Sequence, residues 1–257
     1  MALFFPLAFH LEFESNVLDV AVHPTRRLLA SALDGGTLQL HVYDACDGSG
    51  GATLQLLPLH TLGGATQPAC TATCFLGGIG GTSDSNGWVA AGGAAGGLSV
   101  WDVDTGAAVW SRNSAHSSRV KCAAPLGPQL LATGDSWGGL HVWDLRSRAA
   151  AAGVQLPADG AATDLCLVEG KDSLVAVSSS GTEGHLSTIS LRQMSSPKVM
   201  GSCRHAAPIH SVATLHGGRT VLCGDDRGKW GLGRWGQLRE GEVLFRAGEG
   251  CCRSAAC

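Results

Sequence analysis

Apolar residues along this chain come in short bursts cut by glycine, and each burst has the length of a strand rather than a helix. The first group runs Val17-Leu18-Asp19-Val20-Ala21-Val22, then Leu28-Leu29-Ala30-Ser31, a turn at Asp34-Gly35-Gly36, and residues 38–43. Runs of this kind, bounded by Gly and Asp, read as strands whose successive side chains point to opposite faces of a sheet. The pattern returns at residues 70–76, 88–91 and 98–101, again at 120–124, 130–133 and 140–143, then at 163–168, 174–177 and 186–191, and last at 209–214, 220–223 and 229–235. One phrase within it is said twice: Gly96-Gly97-Leu98-Ser99-Val100-Trp101-Asp102 recurs 42 residues later as Gly138-Gly139-Leu140-His141-Val142-Trp143-Asp144. A tight glycine turn, an alternating strand and a terminal Trp-Asp, repeated at a period of about 40, predict the four-stranded sheets of a β-propeller, none of which is stable without its neighbour.

The expected fold class is therefore all-β, one propeller domain over residues 1–250. A leading strand lies within residues 1–16, alternating apolar and polar over 9–13, and five blades follow at 17–60, 61–115, 116–157, 158–204 and 205–250, with 251–257 as a disordered tail. The third blade is the cleanest copy. In the first, His41 stands at the Trp position, with Tyr43 on the same strand face to fill a similar gap, and in the fourth Ile189 stands there. Residues 77–87, rich in Gly and Ser, read as a mobile loop inside the second blade. Five blades and a leading strand predict an open arc rather than a closed ring, with direct five-blade closure as the alternative. An open arc exposes the apolar faces of its two end blades, and contiguous apolar patches mark interaction sites or aggregation hazards.

Composition fits this picture: 257 residues with 37 glycines, 15% charged and 44% hydrophobic suit short strands joined by tight turns. The net charge is −3 and the basic residues are scattered, Arg26-Arg27 and Arg146/Arg148 being the densest pairs. Direct phosphate binding needs clustered Lys and Arg, so no nucleic-acid footprint is expected. Ten cysteines are present, most of them single within apolar stretches, as at Cys74, Cys122, Cys166 and Cys223. Buried free thiols of a reducing compartment, cytosol or nucleus, explain them better than a disulfide framework. The apolar start, residues 1–9, lacks a cationic leader and runs into His10 and Glu12, unlike a signal peptide. No apolar stretch approaches the length of a membrane span, so no membrane partner is expected.

Candidate chemistry is sparse. Gly134-Asp135-Ser136-Trp137-Gly138 matches the G-x-S-x-G nucleophile pattern but falls in a strand-to-strand turn, where no helix follows. Gly231-Leu232-Gly233-Arg234-Trp235-Gly236 matches G-x-G-x-x-G without the βαβ unit that binds a dinucleotide. The ten histidines are dispersed, without zinc-ligand spacing, and Cys251, Cys252 and Cys257 lie in the tail. The reading is a non-enzyme with no catalytic residue, cofactor, metal or small-molecule substrate. Trp137 is the residue to single out, because it sits in the turn between the second and third strands, and exposed Trp is enriched at binding hot spots. Arg119, Arg227 in the corresponding turn of the fifth blade, and Asp135 beside Trp137 complete the candidate partner-binding set.

With Trp101-Asp102 and Trp143-Asp144 in place, the chain resembles the WD40 repeat superfamily. More narrowly, residues 17–26, Ser114-Ala115-His116, and Leu130-Leu131-Ala132-Thr133-Gly134-Asp135 followed by Gly138-Gly139 and Trp143-Asp144 are similar to the WD repeat-containing protein 55 family. The resemblance spans residues 13–236, including the Arg-Trp-Gly end of residues 228–236. It implies a non-enzymatic scaffold that binds other proteins, ribosome-assembly factors, in ribosome biogenesis and ribosomal RNA processing. The nucleus, and the nucleolus within it, is the implied location, with the cytoplasm possible. Against that family's seven-bladed ring, the later blades and a basic C-terminal extension are missing here. A WD40 blade also ties its strands by a His, Ser/Thr, Asp and Trp network. His116, Thr133 and Trp143 are placed for it, but the Asp expected six residues before the Trp is Trp137, and the same slot holds Ala95, Glu183 and Arg227 elsewhere. The network is thus expected to be incomplete. The rival reading keeps the fold and makes the chain a substrate receptor of a cullin-type ubiquitin ligase, docking a ligase adaptor through Trp143-Asp144-Leu145-Arg146.

Overall fold

The structure is a computed structural model that describes residues 11–46, 53–63, 68–77, 87–147, 152–157, 160–168, 172–215, 220–234 and 248–249. The described chain is all-β, built as five four-stranded antiparallel sheets taken in sequence order. Sheet 1 holds β1 (Val17–Val22), β2 (Leu28–Leu33), β3 (Thr37–Cys46) and β4 (Thr53–Gly63). Sheet 2 holds β5 (Cys70–Leu76), β6 (Trp88–Gly93), β7 (Leu98–Asp102) and β8 (Ala108–Arg112). Sheet 3 holds β9 (Val120–Gly127), β10 (Leu130–Asp135), β11 (Gly139–Asp144) and β12 (Ala152–Gln155). Sheet 4 holds β13 (Ala161–Leu167), β14 (Ser173–Ser180), β15 (Glu183–Ser190) and β16 (Lys198–His205). Sheet 5 holds β17 (Ile209–Leu215), β18 (Thr220–Asp225), β19 (Lys229–Arg234) and β20 (Gly248–Glu249). Among the described residues no helix is long and apolar enough to cross a membrane.

The glycine turns do what their sequence predicts. Gly36, Gly96, Gly138 and Gly228 close the turn between the second and third strands of their sheets with φ of 83°, 79°, 77° and 72°, a left-handed backbone that a β-carbon disfavours. The expected leading strand is not formed in its described part: residues 11–16 are irregular, and residues 9 and 10 lie outside the description. Phe13 instead stands edge-on to His41, ring centroids 5.8 Å apart, so the phenyl ring lies against the imidazole that holds the Trp position of sheet 1. Most of the loop expected at 77–87, and the tail at 251–257, also lie outside the described residues.

The sheets stack like blades. The first strand of each packs on the first strand of the next, β1 on β5, β5 on β9, β9 on β13 and β13 on β17, and a separate apolar cluster fills each junction. Leu28, Leu38 and Leu40 of sheet 1 meet Phe75 and Trp101 of sheet 2. Leu76, Leu98 and Val100 meet Leu131 and Trp143. Leu140 and Val142 meet Leu165, Leu174 and Ile189. Val175, Val177 and Leu186 meet Ile209 and Val212. Sheets 2, 3 and 4 therefore each have a leading face on the sheet before and a trailing face on the sheet after, and burial of these faces drives the stacking.

Polar ties stitch the first strands where each carries a β-bulge. Asp19 Oδ2 accepts from Thr73 N (2.7 Å), Thr71 Oγ1 donates to the Val120 carbonyl, Cys122 Sγ donates to the Ala162 carbonyl (3.5 Å), Thr163 Oγ1 donates to the Ile209 carbonyl (2.7 Å), and Asp164 Oδ2 accepts from Val212 N (2.8 Å). A bulge leaves one residue unpaired in its own ladder and re-aims the strand: Thr71 and Thr163 are those unpaired residues, and Asp19, Cys122 and Asp164 follow directly after the bulge. Cys70, Cys74 and Cys122 are buried free thiols, and burial pushes Cys70 up to about 11. The arc is not a closed ring: β1 has no sheet before it among the described residues, and its Val17, Leu18, Val20 and Val22 are exposed.

Candidate protein-interaction surface

Sheet 3 carries a buried polar chain that ends beneath an exposed indole. Trp143 Nε1 donates to Thr133 Oγ1 (2.7 Å), Thr133 Oγ1 lies 2.6 Å from His116 Nε2, and His116 Nδ1 lies 2.9 Å from Asp135 Oδ2. A carboxylate only accepts, so His116 carries its proton on Nδ1 and Nε2 takes the Thr133 hydroxyl proton. Burial lowers the His116 pKa, against the pull of Asp135, and keeps the ring neutral. Burial alone would raise Asp135, but hydrogen bonds from His116 and the Trp137 and Gly139 amides outweigh it and hold the carboxyl below its usual range. All four side chains are thus paired in one direction, from indole to carboxylate.

This corrects the expectation of an incomplete network. The acid comes not from the slot held by Trp137 but from the residue two earlier, Asp135 at the mouth of the turn, where a carboxylate can reach both His116 and the turn amides. An Asp-x-x-Gly step, Asp135 to Gly138, was the available signal, and Asp225 to Gly228 repeats it. There Asp225 Oδ2 accepts from His205 Nε2 (2.9 Å) and its Oδ1 accepts from the amides of Arg227 (3.1 Å) and Lys229 (2.8 Å). Sheet 5 lacks the other half, since Cys223 and Gly233 stand where sheet 3 has Thr133 and Trp143.

The series Thr133, His116, Asp135 has the order of a nucleophilic triad. Thr133, however, is 0% exposed, and its oxygen also receives the Trp143 N–H, so the hydroxyl meets no solvent and offers no free face to a substrate. Ser136, the serine of the G-x-S-x-G pattern, donates to the Arg119 carbonyl (3.3 Å) in a strand-to-strand turn. Of the G-x-G-x-x-G pattern, Gly231 to Arg234 lie in β19 and the rest lies outside the described residues. Among the described residues no group of three metal-ligating side chains comes together.

What the buried chain positions is Trp137. Asp135 Oδ1 accepts its amide (2.8 Å), Gln155 Nε2 donates to its carbonyl (2.6 Å), and the side chain stands 63% exposed. Gln155, at the end of β12, is a positioning residue that the pattern of the sequence did not reveal, because its partner is a backbone carbonyl in the turn between β10 and β11. The same turn holds the backbone of Arg119, an exposed residue, whose carbonyl accepts from the Ser136 amide at 2.9 Å. Arg227 is exposed in the equivalent turn of sheet 5, two sheets away, and Asp135 is buried beneath the surface as its brace.

The two Trp-Asp pairs are structural. Trp101 and Trp143 pack in the junctions with the preceding sheets. Asp102 Oδ1 accepts from Asp104 N, Thr105 N and Thr105 Oγ1 at 2.9–3.1 Å and so caps the turn into β8. Asp144 holds Arg146 through Nε (2.9 Å) and Nη2 (2.8 Å), so the arginine of Trp-Asp-x-Arg is folded onto its own motif. No protein-family model matches the chain, and no curated protein matches it.

Proposed function

We propose that this chain is a non-enzymatic interaction scaffold, an open WD40-type propeller most like the WD repeat-containing protein 55 family, that binds other proteins in ribosome biogenesis and ribosomal RNA processing in the nucleolus. The observation that supports the binding role is the exposed Trp137 on a turn held at both its amide and its carbonyl, with the backbone of the exposed Arg119 tied to the same turn. A turn whose backbone is already fixed has little backbone entropy to lose on binding, and Trp and Arg are among the side chains most enriched at hot spots. The ribosomal assignment rests on the family-like segments at residues 17–26, 114–116 and 130–144. The ligase-adaptor reading has less support, because Arg146 is engaged by Asp144.

The test is affinity purification of the tagged chain and of Trp137→Ala from cell extract, with imaging of the same chains. Ribosome-assembly factors retained by the wild type and reduced about tenfold or more in the variant, together with nucleolar signal, are the expected result. Recovery of a ligase adaptor instead, or a signal excluded from the nucleolus, overturns it.

A further inference from the structure

The two ends of the arc expose opposite halves of one joint. At each inner junction the leading face presents a first-strand residue, Thr73, Ala123, Leu165 or Val212, to the preceding sheet, whose trailing face presents a leucine from its third strand, Leu38, Leu98, Leu140 or Leu186. These leucines are at most 1% exposed, and Thr73, Leu165 and Val212 are between 5% and 8% exposed. The leading position of sheet 1 is Val20, which is 46% exposed, with Leu18 and Val22 on the same row. The trailing position of sheet 5 is Trp230, 38% exposed, paired to Gly224 as Leu140 is paired to Gly134. On sheet 5, Ser211 takes the position after the bulge, the one from which Asp19 and Asp164 reach the next sheet.

We propose that these faces bind a second copy of this chain head to tail, the Trp230 face of one molecule seating on the Val20 face of the next. The occupant is argued from the molecule itself, since four junctions of the same kind already join such faces and each copy supplies one of either kind. The contact is heterologous, so successive copies either close a larger ring or extend as a filament. Trp230 is the anchor, a large apolar side chain entering a row of branched aliphatics.

Light scattering after gel filtration tests this with Val20→Glu and Trp230→Glu, two surface changes whose folding is checked by circular dichroism, with Val22→Glu as the alternative on the leading face. The wild type is expected to run as a dimer or larger species, and each variant alone as a monomer, its association weakened about a hundredfold. An equimolar mixture of the two variants is expected to form a dimer and nothing larger, because one intact face remains on each. A monomeric wild type, self-association surviving in either variant, or a mixture that stays monomeric overturns the proposal. A wild type that associates only after residues 2–9 are deleted assigns the Val20 face to the chain's own amino-terminal segment, and overturns it as well.

Discussion

Thr133 joins two buried partners through one oxygen, so its removal strands the Trp143 indole N–H and the His116 imidazole nitrogen together. An unpaired buried polar group costs about 1–3 kcal/mol, and Thr133→Val is expected to lower the unfolding free energy by about 2–4 kcal/mol, read from a urea titration. Thr133→Ser keeps the oxygen and is expected to recover most of the loss, and equal midpoints for Val and Ser would refute the assignment. The buried titrating groups give a second residue-scale prediction with opposite signs. His116, held below 6.5 by burial, takes up a proton later than in the unfolded chain, so its contribution is lost as pH falls below 6.5. Asp135, held below 3.8, adds a loss as pH falls below that value. Asp164 runs the other way: burial pushes it up to about 6, with the Asp19 charge adding and the Val212 and Leu165 amides opposing. The folded chain then keeps a proton that the unfolded chain has released, and stability declines as pH rises from 3.8 to about 6. Asp164→Asn retains an acceptor for the Val212 amide and is expected to stabilise by about 1–3 kcal/mol near pH 8 and by almost nothing near pH 3. Thermal melts at the two pH values check this, and an equal gain at both would remove burial of the carboxylate as its cause.

At the scale of the element, close backbone approach decides what the strands tolerate. Gly92 and Gly134 hold the same place in the second strands of sheets 2 and 3, and a β-carbon there would lie 2.4 Å from Val120 Cγ1 and 2.6 Å from Ala162 Cβ, atoms of the following sheet. Gly92→Ala is expected to cost about 1–3 kcal/mol by prising sheets 2 and 3 apart, visible as a lowered urea midpoint, whereas Gly181→Ala meets no atom within 4 Å and is strained only by its φ of 40°. A Gly92→Ala midpoint that does not move would mean that the junction yields without cost. The strands and turns were legible in the sequence because each is a local device: a glycine closes the turn, and alternation sets the faces, as in Gly138 to Asp144 and its copy at Gly96 to Asp102. The acid of the polar chain was not, because counting back six residues from Trp143 lands on Trp137 in the turn, while His116 is reached by Asp135 at the end of β10. Gln155 escaped for the same reason, being tied to Trp137 from another strand. The leading strand expected at 9–13 was read from alternation alone, and alternation does not supply the neighbouring edge a strand must pair with.

For the whole molecule, stability is a sum of sheets and junctions, each sheet supported only by its neighbours. Sheets 2, 3 and 4 are covered on both faces, while β1 has its leading face in solvent and is tied onward through Asp19 to Thr73. Local opening follows apolar coverage, so amide exchange is expected to be fastest in β1, slower in β17, and slowest in β6, β10 and β14, the second strands of the covered sheets. Measuring exchange by mass spectrometry at rising protein concentration extends the test: if copies join head to tail, protection of β1 and β19 rises with concentration, while that of β10, buried in either state, does not. Val20→Glu removes the concentration dependence at β1 but leaves the β10 rate where it was, because the substituted side chain lies in solvent and supports no junction within its own molecule. Uniform protection across the five sheets at low concentration would show that the chain unfolds as one cooperative body rather than from its open end.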